Sequence, residues 1–307
     1  PFEETIRATN NENEIIEKID IGGISLIRAA AKNFNDVLCI SDKSNYDDLL
    51  KILKNSGAQT TLETRRKFAV KAFDISSNYD TAIFNFFNKD NLINSIKISS
   101  KNHTPLRYGE NPHQNGAFYG DLKKGVLQIH GKQLSYNNLL DIDNAINLIS
   151  EFKKADPTFA ILKHNNACGV STKKTISLAY KNALMSDPVS AFGGVLISNS
   201  EIDSETAKLL KKLFFEVLIA PKFSKVALKI LKEKKNLIVL KNNLSKREAL
   251  NYRSCLNGFL VQENDLKSDS VKDLNFVTKE IPSKAEIDDL IFASKISKHT
   301  KSNTIVL

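Results

Sequence analysis

Short apolar runs alternate along much of this chain with stretches in which apolar residues recur every three to four positions, the periods of a buried strand and an amphipathic helix. The helical period dominates the first hundred residues. Residues 2–18 are polar and helix-permissive, and Ile19-Asp20-Ile21-Gly22-Gly23 turns the chain sharply. Ile24 to Asn33 follows as a predicted helix, with Ala29-Ala30-Ala31 giving it strong propensity. Val37 to Ile40 is a predicted strand, Asn45 to Asn55 a helix, and Thr61 to Phe87 a long helix. The aromatics of that helix (Phe68, Phe73, Tyr79, Phe84, Phe86 and Phe87) are assigned to core. Asn88 to Thr104, rich in Asn, Ser and Lys, reads as a linker.

Beyond the linker, strand and helix alternate. Strands are predicted at Val126–Ile129, Phe159–Lys163, Ala191–Ser198, Val217–Ala220 and Leu237–Leu240. Helices are predicted at Asn138–Phe152, Ile176–Met185, Ser204–Phe214 and Val226–Lys234. The last helix, Ser283–Lys298, opens on a Ser-x-x-Glu capping box, Ser283 with Glu286. Such alternation predicts an α/β fold with layers around a mostly parallel sheet.

Composition narrows the class. A chain of 307 residues suits two domains or one large one. Its 41% hydrophobic and 26% charged content is that of a soluble globular protein. The excess of Lys+Arg over Asp+Glu, 44 − 35 = 9, favours anionic partners. The lysines are spread along the whole sequence and no arginine-rich arm is present, so phosphorylated metabolites are favoured over nucleic acid. Cys39, Cys168 and Cys255 lie far apart with no Cys-x-x-Cys, which argues against a disulfide framework or zinc knuckle and for a reducing compartment. No apolar run approaches membrane-spanning length. The chain opens on Pro1 and its only methionine is Met185, so the native start is expected to lie upstream, and a signal or transit peptide is disfavoured.

Four stretches carry candidate chemistry. Lys163-His164-Asn165-Asn166-Ala167-Cys168-Gly169 emerges where the run Phe159-Ala160-Ile161-Leu162 stops, with Cys168-Gly169-Val170 breaking the pattern ahead of a helix. A cation beside an imidazole suits proton handling next to an anion, although Lys-His pairs at strand ends are mostly solvated bystanders. Gly22-Gly23 opening a helix is either an anion site made of free backbone N–H groups or a tight turn for close packing. Leu106-Arg107-Tyr108-Gly109-Glu110-Asn111-Pro112-His113-Gln114 forces an irregular loop, and its Arg-Tyr pair joins an anion fork to a stacking face. Asp187-Pro188-Val189-Ser190-Ala191-Phe192-Gly193-Gly194 joins a helix to a strand through two glycines.

Taken together, these stretches resemble the AICAR transformylase/IMP cyclohydrolase family of purine biosynthesis. Glu17-Lys18-Ile19-Asp20-Ile21-Gly22-Gly23 with Arg28-Ala29-Ala30-Ala31-Lys32-Asn33 is similar to its cyclohydrolase part, and the other three stretches to its transformylase part. The resemblance implies residues 1–98 as the C-terminal portion of a small α/β domain of the methylglyoxal-synthase type, with 88–104 as linker. Residues 99–307 become the N-terminal portion of a cytidine-deaminase-like transformylase domain. It implies formyl transfer from 10-formyltetrahydrofolate as co-substrate to AICAR, then dehydrative closure of formyl-AICAR to IMP, with no metal in the chemistry. His164, Lys163 and Asn303 (from Ser302-Asn303-Thr304-Ile305-Val306) are implied as transformylase catalytic residues, and Asp20 with Lys32 nearby as those of ring closure. Arg107, Tyr108, Gly193, Glu216, Asp20 and Ile21 are implied as substrate contacts. A cytoplasmic homodimer sharing the transformylase site, without nucleic acid or membrane, completes the picture.

The transfer has two departures. Ala167 stands where the family has proline, which removes a fixed φ but keeps Lys163, His164 and Asn166. The chain also covers only the middle of the family pattern, so it reads as a fragment, expected to turn over neither substrate alone. Two competing readings fare worse. A zinc deaminase needs His-x-Glu and Pro-Cys-x-x-Cys, which are absent despite His164 and Cys168, and a non-catalytic nucleotide- or RNA-binding module rests on net charge alone.

Overall fold

In the computed structural model, which describes residues 2–57, 59–244 and 247–307, the chain divides after Lys101 into two units. The first contains helices α1 (Phe2–Ala8), α2 (Glu12–Ile16), α3 (Gly22–Lys32), α4 (Tyr46–Ser56) and α5 (Leu62–Phe87). Thr61 caps α5 by accepting from the Thr64 amide. Small residues let α3 and α5 approach closely over a core of Ala31, Cys39, Ala69 and Ala72. Arg65 locks the turn after α3 by donating to the carbonyls of Phe34, Asn35 and Thr60.

Two expectations for this unit are corrected. Val37 to Ile40 is not a strand, because a ladder needs a partner and the described residues of this unit contain none. Cys39 instead drops among the helices, its Sγ 3.7 Å from the Ile27 carbonyl. The aromatics of α5 are only partly core. Phe68 is buried, whereas Phe73 and Phe87 are exposed, since a single face of this long helix is covered. Tyr79 and Phe86 pack edge-on around the fully buried Phe2 at 5.9 Å.

The second unit begins with a small antiparallel pair, β1 (His103–Pro105) and β2 (Ala117–Tyr119), and a short helix α6 (Leu122–Gly125). There follow β3 (Val126–His130), α7 (Tyr136–Ser150), β4 (Thr158–Lys163), β5 (Asn166–Thr172), α8 (Ile176–Ser186), β6 (Val195–Ser198), α9 (Ser204–Leu210), β7 (Val217–Ala220), α10 (Lys225–Lys232) and β8 (Ile238–Asn242). A hairpin of β9 (Leu250–Cys255) and β10 (Gly258–Glu263) precedes the last helix, α11 (Lys284–Ser297). The Ser283–Glu286 capping box of α11 is present as its sequence predicts.

The central sheet has the order β3-β8-β7-β6-β4-β5. It is mixed rather than mostly parallel: β6, β7 and β8 run parallel through α9 and α10, while β3–β8, β6–β4 and β4–β5 are antiparallel. For β4 and β5 the cause is local, because they are joined by two residues and so short a link permits only an antiparallel pair. Alternate residues of the inner strands feed two cores, as expected of strands covered on both faces. Ala160, Leu162, Val195, Ile197, Val217 and Ile219 pack under α7, and Phe159, Ile161, Leu196 and Leu218 pack under α8, α9 and α10. The β9–β10 hairpin escaped the sequence reading although Asn257-Gly258 is a strong turn signal.

One buried charge holds the C-terminal helix onto this sandwich. Glu151, at the end of α7, has a side chain only 3% exposed and accepts from Lys298 Nζ (3.0 Å), His299 Nε2 (3.0 Å), Arg247 Nη1 (3.4 Å) and the Ser268 hydroxyl. Burial alone pushes its carboxyl up, but the hydrogen bonds from His299, Ser268 and Lys298 outweigh it and hold the pKa at about 2. A depressed carboxylate contributes stability that is fully present above its unfolded value of 4.5 and is lost as pH falls through about 2. Glu151→Ala leaves several buried cations uncompensated and is expected to lower the stability of this unit by about 3–5 kcal/mol in urea at pH 7. In acid titrations the difference between Glu151→Gln and wild type should shrink across that same pH window.

Candidate active site

Strand β4 ends at Lys163, the chain reverses through His164 and Asn165, and Asn166 pairs back to Lys163 as the first residue of β5. Both turn residues have positive φ, 51° at His164 and 66° at Asn165, the signature of a type I′ hairpin turn. The sequence reading expected a break ahead of a helix here and missed the hairpin, because the usual Asn-Gly marker is absent. Asn tolerates the left-handed region and His enters it less readily, so the turn needs support. Part of that support comes from Asp141 on α7, whose Oδ1 accepts from the Asn165 amide at 2.8 Å. With its side-chain nitrogen facing inward, Asn165 also donates to the same oxygen (3.0 Å) and to the Leu140 carbonyl (3.1 Å).

A cavity of about 540 Å3 opens in front of this turn. It brings together five residues singled out from sequence: Tyr108, Lys163, His164, Gly193 and Glu216. Because β6 is antiparallel to β4 and β7 is parallel to β6, the cavity lies where β4 ends and β6 and β7 begin. The rule that ligands sit at the carboxyl ends of parallel strands therefore does not hold for the parallel β6 and β7, and the one carboxyl end at the cavity belongs to the antiparallel β4.

Each side chain is held in place. Lys163 Nζ donates to the Phe192 carbonyl at 2.8 Å, which fixes the ammonium and leaves two of its three donors for the cavity. Gly193 adopts φ +74° and donates to the Phe214 carbonyl at 2.9 Å. At Gly194 the close approach is to strand β4, since a Cβ there would lie 2.6 Å from the Leu162 carbonyl oxygen. Glu216 accepts from Lys132 Nζ at 3.1 Å and from Asn138 Nδ2 at 3.5 Å. Tyr108 is tied through its carbonyl to the Tyr136 amide, and Arg107 through its amide to the Leu134 carbonyl. The exposed Arg107 guanidinium stacks over the Tyr108 ring at 4.6 Å and donates to its hydroxyl at 2.8 Å, so it stands beside the cavity rather than in its wall.

The remaining predicted residues lie elsewhere. Asn303 is exposed and does not line the cavity. Lys301 of the same segment does, and its amide donates to Asn166 Oδ1 at 3.3 Å. In the first unit, Asp20 accepts from the amides of Gly23 (3.3 Å) and Ile24 (2.6 Å). The Gly-Gly helix opening, read as a possible anion site, is thus capped by the chain's own carboxylate. Ile21 is 72% exposed. Lys32 ends the helix that Asp20 caps, roughly 15 Å away at 1.5 Å of rise per residue, so the expected proximity of Asp20 and Lys32 is corrected.

The profile of the family described as AICARFT/IMPCHase bienzyme matches residues 30–307. The chain belongs to the AICARFT/IMPCHase bienzyme family. It is 52% identical over 307 residues to the bifunctional purine biosynthesis protein PurH of Bacteroides thetaiotaomicron, covering 100% of this chain and 60% of that protein. The PurH proteins of Caldicellulosiruptor saccharolyticus and Persephonella marina are 43% and 41% identical over 322 residues, each with 100% of this chain and 62% of theirs. The chain therefore spans about three fifths of the length of these relatives.

Within this family member, three cavity-associated charges escaped the sequence reading. Lys132 and Asp141 sit in polar stretches with no local marker, and Lys301 was passed over for the nearby Asn303 motif. Burial pushes the Asp141 carboxyl above its ordinary range and Glu216 adds to the rise, while the Asn165 amide, His164 and Lys301 pull it back. Among the described residues no cluster of three or more His, Cys, Asp or Glu side chains could hold a metal ion. The glycine pair offers a test of the geometry. Gly194→Ala forces β4 and β6 apart at the cavity and is expected to cost about 3 kcal/mol. Gly193→Ala meets only the Phe214 ring at 3.8 Å, an ordinary contact, and should cost only the left-handed φ, about 1–2 kcal/mol, with both read from urea unfolding.

Proposed function

We propose that this chain carries the formyl-transfer site of a bifunctional purine-biosynthesis enzyme, together with part of its ring-closing domain. The observation that supports it best is the Lys163-His164 tip, presented by a tight hairpin to a polar cavity that also holds Tyr108, Gly193 and Glu216. Formyl transfer from 10-formyltetrahydrofolate to AICAR requires a weakly nucleophilic aromatic amine to attack a formyl carbon. A base must take the amine proton as the bond forms, and a cation must steady the oxyanion or protonate the leaving nitrogen.

His164 is the base and Lys163 the cation in this reading. The exposed imidazole can reach a bound amine, and imidazole is the side chain most often used as a general base. The ammonium, fixed by the Phe192 carbonyl, faces the position where negative charge develops. Tyr108 and Gly193 bind the AICAR base, with Arg107 supplying an anion contact at the rim. Glu216, oriented by Lys132, accepts from a substrate amine or hydroxyl. Asn303 would reach the site only through a rearrangement of its segment or from a partner subunit, which fits a homodimer with a shared site. The first unit corresponds to part of the cyclohydrolase domain of methylglyoxal-synthase type, and residues beyond the linker to the cytidine-deaminase-like transformylase domain. In the first unit Asp20 and Ile21 serve substrate binding through the α3 turn, and Lys32 acts in proton transfer with partners other than Asp20.

The test uses the full-length gene product. His164→Ala is expected to lower formyl transfer by roughly 100- to 10,000-fold while leaving closure of supplied formyl-AICAR nearly untouched, and Lys163→Ala should behave alike. Equal loss of both activities in a folded variant would refute the assignment.

A further inference from the structure

Asp141 is the half-buried carboxylate nearest the backbone of the catalytic turn, and the chemistry described above makes no use of it. It projects from α7, a 15-residue helix whose start is fixed by the Ser135–Asn138 capping box and whose inner face is locked into the core by Ile142, Ala145 and Ile146. The carboxylate is therefore held by a rigid element. The turn it touches is not intrinsically rigid, because two successive residues other than glycine occupy the left-handed region there. For L-residues that conformation costs on the order of 1–2 kcal/mol each. Across the turn, the pairing of Lys163 with Asn166 sits next to a register irregularity between Ile161 and Leu162, so the ladder alone is a loose clamp. The Asn165 amide, donating to Asp141 Oδ1 at 2.8 Å, ties the tip to the helix, and the Asn165 side chain adds bonds to the same oxygen and to the Leu140 carbonyl.

We propose that Asp141 is a positioning residue for His164, holding the two left-handed residues of the turn through the Asn165 amide and so fixing the direction in which the imidazole enters the cavity. This rests on the reading of His164 as the base. The acceptor oxygen, rather than a proton carried by the carboxyl, is what the turn requires. The groups facing Asp141 agree with such a static role. Asp141 also lines the cavity, where His164 and Lys301 balance its charge and Glu216 opposes it, while its Oδ1 is engaged by the Asn165 amide.

Two measurements test it separately. In the 307-residue chain, amide exchange of a peptide spanning Lys163–Ala167 should quicken about tenfold or more in Asp141→Ala, through local opening. It should stay within about twofold of wild type in Asp141→Asn, which keeps an acceptor oxygen. Unchanged exchange in Asp141→Ala would overturn the proposal. In the full-length gene product, Asp141→Ala should lower kcat for formyl transfer by about tenfold to a hundredfold, the cost of misplacing a catalytic group by about an ångström, with both KM values within about threefold. Asp141→Asn should recover kcat to within about threefold. Should Asp141→Ala fail to fold, Asp141→Ser, polar but too short to reach Asn165, is expected to give the same kinetic loss. An Asn variant as slow as the Ala variant would overturn positioning, as would a rise in KM at constant kcat. A silent His164→Ala would instead overturn the assignment of the base, and the exchange result would still decide whether Asp141 holds the turn.

Discussion

Strand β4 is hydrogen-bonded on both edges, to β6 on one side and to β5 on the other, and it must reverse within two residues to make the second ladder. That geometric demand shapes the second unit. It forces His164 and Asn165 into left-handed backbone, turns the sheet from parallel to mixed, and puts the end of β4 beside the beginnings of β6 and β7. A longer connection would leave the Lys-His pair on a loop. The tight one mounts it on an inner strand of the sheet, whose residues Phe159 to Leu162 are fully buried. Side chains supported in this way lose little freedom when substrate binds, which is what orientation at a reacting centre requires.

Charge is arranged around that tip in opposed pairs. Lys132 pairs with Glu216 at 3.1 Å, and Lys163 and Lys301 share the cavity with Asp141 and Glu110. The chain's formal charge of +9 is thus no guide to the cavity, where cations and carboxylates are nearly matched. Matched charges in a half-buried site hold one another in place and leave specific donors and acceptors for a ligand that is both anionic and hydrogen-bonding. The Glu151 cluster is the structural counterpart of this arrangement. Its cations come from Arg247 and Lys298, with His299 as a further hydrogen-bond partner, and by fixing the end of α11 it delivers the segment whose Lys301 amide bonds Asn166 next to the turn.

The first unit follows a different physical logic. Its helices pack through small side chains, Ala31, Ala69 and Ala72, and its turns are closed by side-chain caps from Asp20, Asn11 and Thr61. Several of its apolar side chains, among them Ile21, Leu26 and Val70, remain exposed. A helix opening with two glycines is an open anion site only while nothing else supplies the acceptor, and Asp20 supplies it.

Periodicity and local chemistry were enough to place nearly every helix and inner strand of the second unit. Buried strands such as Val217–Ala220 and capped helices such as the one opening at Ser283 carry their signal in consecutive residues. The motifs around Tyr108, Lys163 and His164 likewise cluster suggestive residue types locally, whereas Gly193 and Glu216 were marked as site residues only by the family resemblance. What the chain alone did not disclose depended on partners distant in sequence. Val37–Ile40 has strand composition but no ladder to join, and the His164-Asn165 turn lacks the glycine that usually marks a hairpin. Asp20 and Lys32 are neighbours in a motif yet stand at opposite ends of one helix, because an α-helix separates its ends by its own length. Asp141 lies 24 residues before the amide it holds. Only the packing of α7 against the sheet brings the two together, since side-chain contacts between elements are set by burial of their apolar faces and not by any local pattern.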